Sequence, residues 1–177
     1  MLPDEDRRAL LDLARRAVEA AVRDGDPPPA PASLRGALRE KGAAFVTLRA
    51  AGRLRGCVGH VQAVAPLWES VRDMARAAAR QDGRFEPLRP EELADLAIEI
   101  SILSPIRPVR PEEIVPGLHG LYVRRGSRAG LLLPQVAAER GWDREEFLRR
   151  AFEKAGLPPG DPEAELYAFT AERFGAG

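Results

Sequence analysis

Cysteine is almost absent from this sequence, since the 177 residues contain only one, Cys57. A single cysteine excludes an internal disulfide framework and any zinc module built from several cysteines. The two histidines, His60 and His119, have no partner at a metal-binding spacing, so we expect no metal ion. The glycines follow neither a dinucleotide-binding nor a P-loop pattern, and we therefore expect no cofactor.

Long apolar runs are also lacking. No stretch approaches the roughly 20 apolar residues that span a bilayer, and the N-terminal segment mixes charges into its apolar positions, unlike a secretory signal. We therefore expect a cytoplasmic protein without a membrane partner. Neither sign of charge dominates, because 27 basic residues balance 27 acidic ones, and this balance argues against a nucleic-acid partner.

Asparagine is missing altogether, and glutamine occurs only three times. Scarce amides are one trait of heat-adapted proteins, but the strong preference for arginine over lysine also follows from a biased genome. The composition therefore leaves thermophily open and carries no information about function.

Hydrophobic periodicity predicts an α+β chain. Apolar residues recur at helical spacing in two early segments and again after the second of two β-hairpins, while alternating isoleucines predict a separate strand. The predicted helices span about 10–21, 67–80, 134–140 and 143–155, with a further short helix around 34–41 left open; the hairpins span 43–59 and 121–133, and the strand 96–103.

Prolines interrupt the chain after that strand, at Pro105, Pro108, Pro111 and Pro116. We place a boundary between two lobes here, because each side carries a hairpin, a proline and a helix in the same order. The larger lobe covers roughly 1–105 and the smaller roughly 106–165, and we expect a strand over 166–174 to return to the sheet of the larger lobe. Each lobe is expected to hold antiparallel strands packed by helices, with a cleft between the lobes.

The segment LRGCVGH, residues 54–60, is the most informative for chemistry. On a regular strand, alternation puts Arg55 and Cys57 on one face and Leu54 and Val58 in the core on the other. A positive charge beside a cysteine favours the thiolate, which is the nucleophilic form. The glycines of this segment let a ligand or another backbone approach closely. The alternative that Cys57 is a small core residue stays open, because free cysteines are commonly buried.

Several strings resemble the AMMECR family, also called AmmeMemoRadiSam system protein A. They occur in the order FVTLRAAGRLRGCVG, DGRFEPL, IEISILSP, HGLYVRRG, GLLLPQVAAERGWDREEFL and KAGLPP, and the resemblance covers about Leu10 to Phe174. It implies an α+β fold with two lobes, a cleft near the LRGC motif, and a link to a Memo-type protein and a radical-SAM enzyme. Gly83 departs from the family pattern, which usually has proline there.

Two hypotheses about function follow. In the first, the protein is an enzyme or an enzyme-system component with a small-molecule cleft, in which Cys57 is the reactive group, Arg55 favours its thiolate or holds an anion, and His119 donates or accepts a proton. The residues expected to bind the substrate are Gly56, Gly59, Arg84 and Gln135. In the second, the protein is a non-catalytic binding or scaffold module that docks a Memo-type or radical-SAM partner.

Overall fold

The computed structural model describes residues 1–31 and 36–175 and divides into two compact units. Unit 1 comprises residues 1–103 together with the C-terminal strand from Glu172, and unit 2 comprises Ser104–Ala171. Each unit contains one four-stranded sheet. The predicted α+β class is confirmed, because both sheets are antiparallel and are accompanied by helices.

Unit 1 packs two helices against one face of its sheet. Its elements are α1 (Asp4–Val22), β1 (Ala43–Ala50), β2 (Arg53–Gly59), α2 (Leu67–Arg80), β3 (Leu96–Leu103) and β8 (Ala171–Gly175), and the strand order is β2-β1-β3-β8. The hairpin of β1 and β2 and both long helices agree with the predictions. Of the short helix predicted around 34–41, Leu34 and Arg35 lie outside the described residues, and Gly36–Leu38 form a 3-10 turn.

The core of unit 1 follows from strand alternation. Val46 and Leu48 of β1 and Ile98 and Ile100 of β3 are at most 3% exposed and pack with the apolar faces of α1 and α2. Successive strand residues point to opposite faces, so Thr47 of β1 and its β3 partner lie on the face away from these helices. That second face carries the polar residues discussed below.

Unit 2 has its own core around Phe147, which is fully buried. Its elements are β4 (Arg107–Pro108), β5 (Gly120–Arg125), β6 (Arg128–Leu132), α3 (Pro134–Arg140), α4 (Arg144–Lys154) and β7 (Glu165–Phe169), and the strand order is β4-β7-β5-β6. Asp143 caps the N-terminus of α4, because its carboxylate accepts the backbone N–H of Glu146 at 2.8 Å.

The single strand predicted over 166–174 is wrong. The chain forms two strands there, β7 and β8, which belong to different sheets. Thr170 separates them and is bound by Ser104, whose backbone N–H donates to the Thr170 carbonyl and whose Oγ accepts the Thr170 N–H, both at 2.9 Å. Alternation along the sequence predicts extended backbone but carries no information about which sheet each half joins.

Within the described residues, no helix combines the length and the apolar character that crossing a bilayer requires. The longest helix, α1, has 19 residues and carries charged side chains throughout its length.

Candidate functional site

Cys57 lies in β2, which is an edge strand of the unit 1 sheet. It pairs directly with Thr47 of β1, and the Thr47 hydroxyl donates a hydrogen bond to Sγ at 3.3 Å. Thr47 is 6% exposed, whereas Cys57 is half-buried. The thiol therefore sits among polar groups at the sheet margin and does not belong to the apolar core cluster of unit 1.

Two side chains satisfy the outward-facing backbone of Cys57. Its N–H donates to the Asp82 carboxylate at 2.9 Å, and its carbonyl accepts a hydrogen bond from the Arg84 guanidinium at 3.3 Å. A neighbouring strand would offer one acceptor and one donor in the same way. The Asp82–Arg84 pair thus occupies the position of a further strand at this residue and blocks pairing with another chain there.

The pair is held together by two hydrogen bonds from Arg84 to the two oxygens of Asp82, at 2.9 and 2.7 Å. These bonds, with smaller contributions from the backbone N–H groups of Cys57 and Arg84, lower the pKa of Asp82 to about 2. The same carboxylate raises the pKa of Arg84. Both groups are therefore charged at neutral pH. The Arg84 guanidinium also lies 5.3 Å from the centroid of the Phe85 ring.

Arg55, the predicted activator of the thiol, binds a different group. Its guanidinium forms a two-point ion pair with Glu92 and donates to the Glu86 carbonyl at 3.3 Å. The hydrogen bond with Arg55 lowers the pKa of Glu92 to about 2, and Glu92 raises the pKa of Arg55. The charge of Arg55 is thus balanced by a carboxylate, and its action on Cys57 stays a prediction.

A β-bulge overturns the predicted alternation along β2. Gly56 is opposite Leu48, but Leu54 is opposite Arg49, so Arg55 is the extra residue. Directly paired residues project to the same face, which places Leu54 on the face of Thr47 and Cys57. Leu54 is accordingly half-buried and outside the core cluster, contrary to the prediction that it is buried on the opposite face.

Val58 follows the prediction more closely, because it is half-buried and packs against the core cluster of unit 1. The bulge at Arg55 comes before Gly56 in the chain, so side chains from Gly56 to Gly59 alternate regularly between the two faces of the sheet.

The two glycines of the segment allow the chain to pack closely on itself. A Cβ on Gly56 would lie 2.1 Å from the carbonyl oxygen of Ala78 in α2, and a Cβ on Gly59 would lie 2.2 Å from the Phe45 ring. The space beside each glycine is filled by the protein's own atoms. Both therefore have a packing role, and ligand binding by Gly56 and Gly59 stays a prediction.

His119 and Gln135 belong to unit 2, whereas Arg55, Cys57 and Arg84 belong to unit 1. His119 precedes β5 and is half-buried, and its Nδ1 accepts the backbone N–H of Val115 at 3.1 Å. The neutral imidazole therefore carries its proton on Nε2. Gln135 lies in the first turn of α3 and is half-buried. A pocket that joins these two residues to Cys57 stays a prediction.

Unit 2 also has an open cavity of about 530 Å³. It is lined by Pro111, Glu112, Asp143, Arg144, Glu145 and Leu148. None of the predicted site residues contributes to this lining. Among the described residues there is no cluster of three or more His, Cys, Asp and Glu side chains arranged to hold a metal ion.

Sequence reasoning missed three residues that bind Cys57 or Arg55: Thr47 and Asp82 bind Cys57, and Glu92 binds Arg55. Thr47 is the one polar residue in the run AAFVTL, and Asp82 stands two positions before Arg84 in the DGRFEPL string, so both left a weak signal. Glu92 left none, because it is 37 residues from its partner Arg55.

Comparisons with a family model, with related sequences and with a solved structure each match nearly the whole chain. The AMMECR1 family model matches residues 11–174. A protein of Methanothermobacter thermautotrophicus is 43% identical over 183 residues, covering 98% of this chain and 95% of its own, and one of Thermococcus gammatolerans is 45% identical over 187 residues, covering 98% and 91%. The crystal structure of Uncharacterized Protein PH0010 from Pyrococcus horikoshii superimposes with a TM-score of 0.93 at 39% identity and covers 98% of this chain and 93% of that one.

Proposed function

The chain belongs to the AMMECR1 family, and we propose that it works as an enzyme, or as a component of an enzyme system, in which the thiol of Cys57 is the reactive group. One observation carries the proposal: Sγ of this half-buried cysteine accepts a hydrogen bond from Thr47 at the margin of the sheet. A cysteine that served only as a small hydrophobe would be expected to pack in the apolar core.

The chemistry follows from that hydrogen bond. The thiol releases its proton to water, and the Thr47 hydroxyl donates to the resulting anionic sulfur and stabilises it. The sulfur then forms a bond with an electrophilic carbon of a small molecule while the bond from that carbon to a leaving group breaks, and the leaving group departs with the electron pair. Arg84 is the cation that contacts the Cys57 backbone, so in this proposal Arg84 takes the place of Arg55 beside the thiol.

Arg84 supplies the anion-binding group of the proposed site. Asp82 fixes the guanidinium through Nε and one Nη, and the side chain is 57% exposed. Among the described residues the other nitrogen, Nη1, donates to no protein acceptor, which leaves it available to a carboxylate or phosphate of the ligand.

A second function is favoured by the charge balance around Cys57. Arg55 and Arg84 are each paired with a carboxylate, so little net positive charge is left to favour a thiolate. Such a site suits a binding or scaffold module that docks a protein partner without chemistry of its own. The resemblance to the AmmeMemoRadiSam proteins points to a Memo-type or radical-SAM protein as that partner.

The first test is alkylation of the folded protein with iodoacetamide. The reaction forms an Sγ–carbon bond while the carbon–iodine bond breaks, iodide leaves and the thiol proton passes to the buffer. Because Cys57 is the only cysteine, the mass increase reports this residue alone. We expect labelling at pH 7, slowed about tenfold in Thr47→Val, since a hydrogen bond to a charged group contributes on the order of 1.5 kcal/mol.

Thr47→Ser is the matched control, because it keeps the hydroxyl and should keep most of the rate. A Cys57 that stays inert until denaturant is added would remove the reactive thiol from the proposal. The scaffold function would be favoured instead if the candidate Memo-type or radical-SAM protein bound the Cys57→Ala variant as tightly as the unchanged protein.

A further inference from the structure

A row of polar side chains crosses the unit 1 sheet at Cys57. Cys57 of β2 is directly opposite Thr47 of β1, and Thr47 is directly opposite Glu99 of β3. Directly paired residues share a face of the sheet. The thiol, the hydroxyl and the carboxylate therefore stand side by side on the face away from Ile98 and Ile100, and two strand spacings of about 4.8 Å separate the Cα atoms of Cys57 and Glu99.

Glu99 forms a longer ion pair than Asp82 or Glu92 does. Asp82 and Glu92 each form a two-point ion pair with an arginine. Glu99 meets Arg173 of β8 at 3.5 Å, with the two side chains 30% and 45% exposed. A long and partly exposed ion pair contributes little free energy, so a cation of a ligand can compete for the carboxylate.

Apolar groups border the row on both sides of Cys57. The Phe45 ring lies over Gly59, where a Cβ would be only 2.2 Å from it, and this places an aromatic group two residues from the thiol. On the other side, the bulge turns the half-buried Leu54 to the same face. The sheet face thus carries a polar line between apolar borders.

We propose that Glu99 binds a cationic group of the ligand whose reactive atom meets Cys57. The inference rests on the function proposed above and adds a class of substrate to it: a small molecule with an electrophilic atom and, several ångströms away, an amine or guanidinium. Glu99 is a binding residue in this scheme. Its partner across the sheet, Thr47, is the residue that touches the sulfur.

The test compares three small methanethiosulfonate reagents of different charge: a cationic 2-aminoethyl, a neutral ethyl and an anionic 2-sulfonatoethyl compound. In each reaction the Cys57 sulfur attacks the sulfenyl sulfur and forms a disulfide, methanesulfinate leaves with the electron pair, and the thiol proton passes to the buffer. Rates are divided by those of N-acetylcysteine to remove the intrinsic reactivity of each reagent.

We expect Glu99→Gln to slow the cationic reagent about two- to twentyfold, the range for unit charges about 9 Å apart at effective dielectric constants between 80 and 20. The neutral reagent should keep its rate. Arg173→Gln should change the cationic rate in the opposite direction, because it removes the competing cation. Glu5→Gln in α1 is the matched control, since it removes one negative charge from a helix on the other face of the sheet.

The outcomes separate the two proposals. If the neutral reagent does not label the folded protein, the reactive thiol itself is refuted. If the neutral reagent labels it but Glu99→Gln and Glu5→Gln leave the same ratio of cationic to anionic rates, only the role of Glu99 is refuted. Circular dichroism of Glu99→Gln checks that the sheet is intact, so an altered ratio reports charge and not unfolding.

Discussion

Gly56→Ala tests why the LRGC segment contains a glycine at this position. A Cβ there would lie 2.1 Å from the Ala78 carbonyl oxygen and 2.9 Å from its carbonyl carbon. Relief to a normal contact of roughly 3.5 Å needs a displacement of more than about 1 Å between β2 and α2. Both neighbours are backbone atoms of regular elements, so no side-chain rotation can relieve the clash.

Overpacking a well-packed interior commonly costs about 1–3 kcal/mol, and we expect Gly56→Ala to reach the upper end of this range. For a chain of this length each kcal/mol lowers Tm by roughly 2–4 °C, so the expected fall is about 6–12 °C. Gly83→Ala is the matched control, because nothing lies within 4 Å of a Cβ at Gly83. It should be neutral or slightly stabilising.

The assays are denaturant unfolding for the free energy and thermal unfolding for Tm, both followed by tryptophan fluorescence. The chain has one tryptophan in each unit, Trp68 in unit 1 and Trp142 in unit 2, so Trp→Phe backgrounds report the two units separately. In Gly56→Ala, the loss of stability should be seen in the fluorescence of Trp68, which reports unit 1. A Gly56→Ala variant with unchanged stability but with lost labelling of Cys57 would refute the packing argument and indicate that the glycine admits a ligand.

Three further predictions concern single side chains. Asp82→Asn should be about 1–3 kcal/mol less stable than the unchanged protein at pH 7. Because the pKa of Asp82 is lowered to about 2, this difference in the free energy of unfolding should shrink as pH falls from 4 towards 2. A pH-independent difference in urea unfolding would contradict this prediction. Arg55→Gln should change the iodoacetamide rate of Cys57 less than about twofold, since Glu92 holds the guanidinium, and a tenfold fall would restore Arg55 as the activator. Phe147→Ala should destabilise unit 2 by about 3–5 kcal/mol, seen as a lower midpoint at Trp142.

The bulge in β2 shows where reasoning from alternation stops. The pattern of apolar residues in LRGCVG is compatible with a regular strand, and a regular strand would bury Leu54. The extra residue at Arg55 changes the face of Leu54 without any glycine or proline at that position to signal it. Bulges depend on how two strands meet, so the sequence of one strand does not predict them.

The partner of Arg55 is likewise decided by how distant parts of the chain meet. An arginine two residues from a cysteine suggests that the two interact, because both are close along the chain. Glu92 is much farther along the chain, yet folding brings its carboxylate to the guanidinium with two hydrogen bonds. The position of Glu99 is a related case. Its place in the row with Cys57 follows from the register of three strands, whereas alternation alone predicts only that its side chain lies on the face opposite to the isoleucines of its own strand.

The sequence by itself determined the α+β class, the two hairpins, the long helices and the family, because periodicity, turn residues and motifs are properties of neighbouring residues. Only the tertiary structure decided that 166–174 splits between two sheets, that Thr47, Asp82 and Arg84 surround Cys57, and that Arg55 binds Glu92. Strand register and ion pairs join residues far apart in the chain, and their identity depends on the packed fold as a whole.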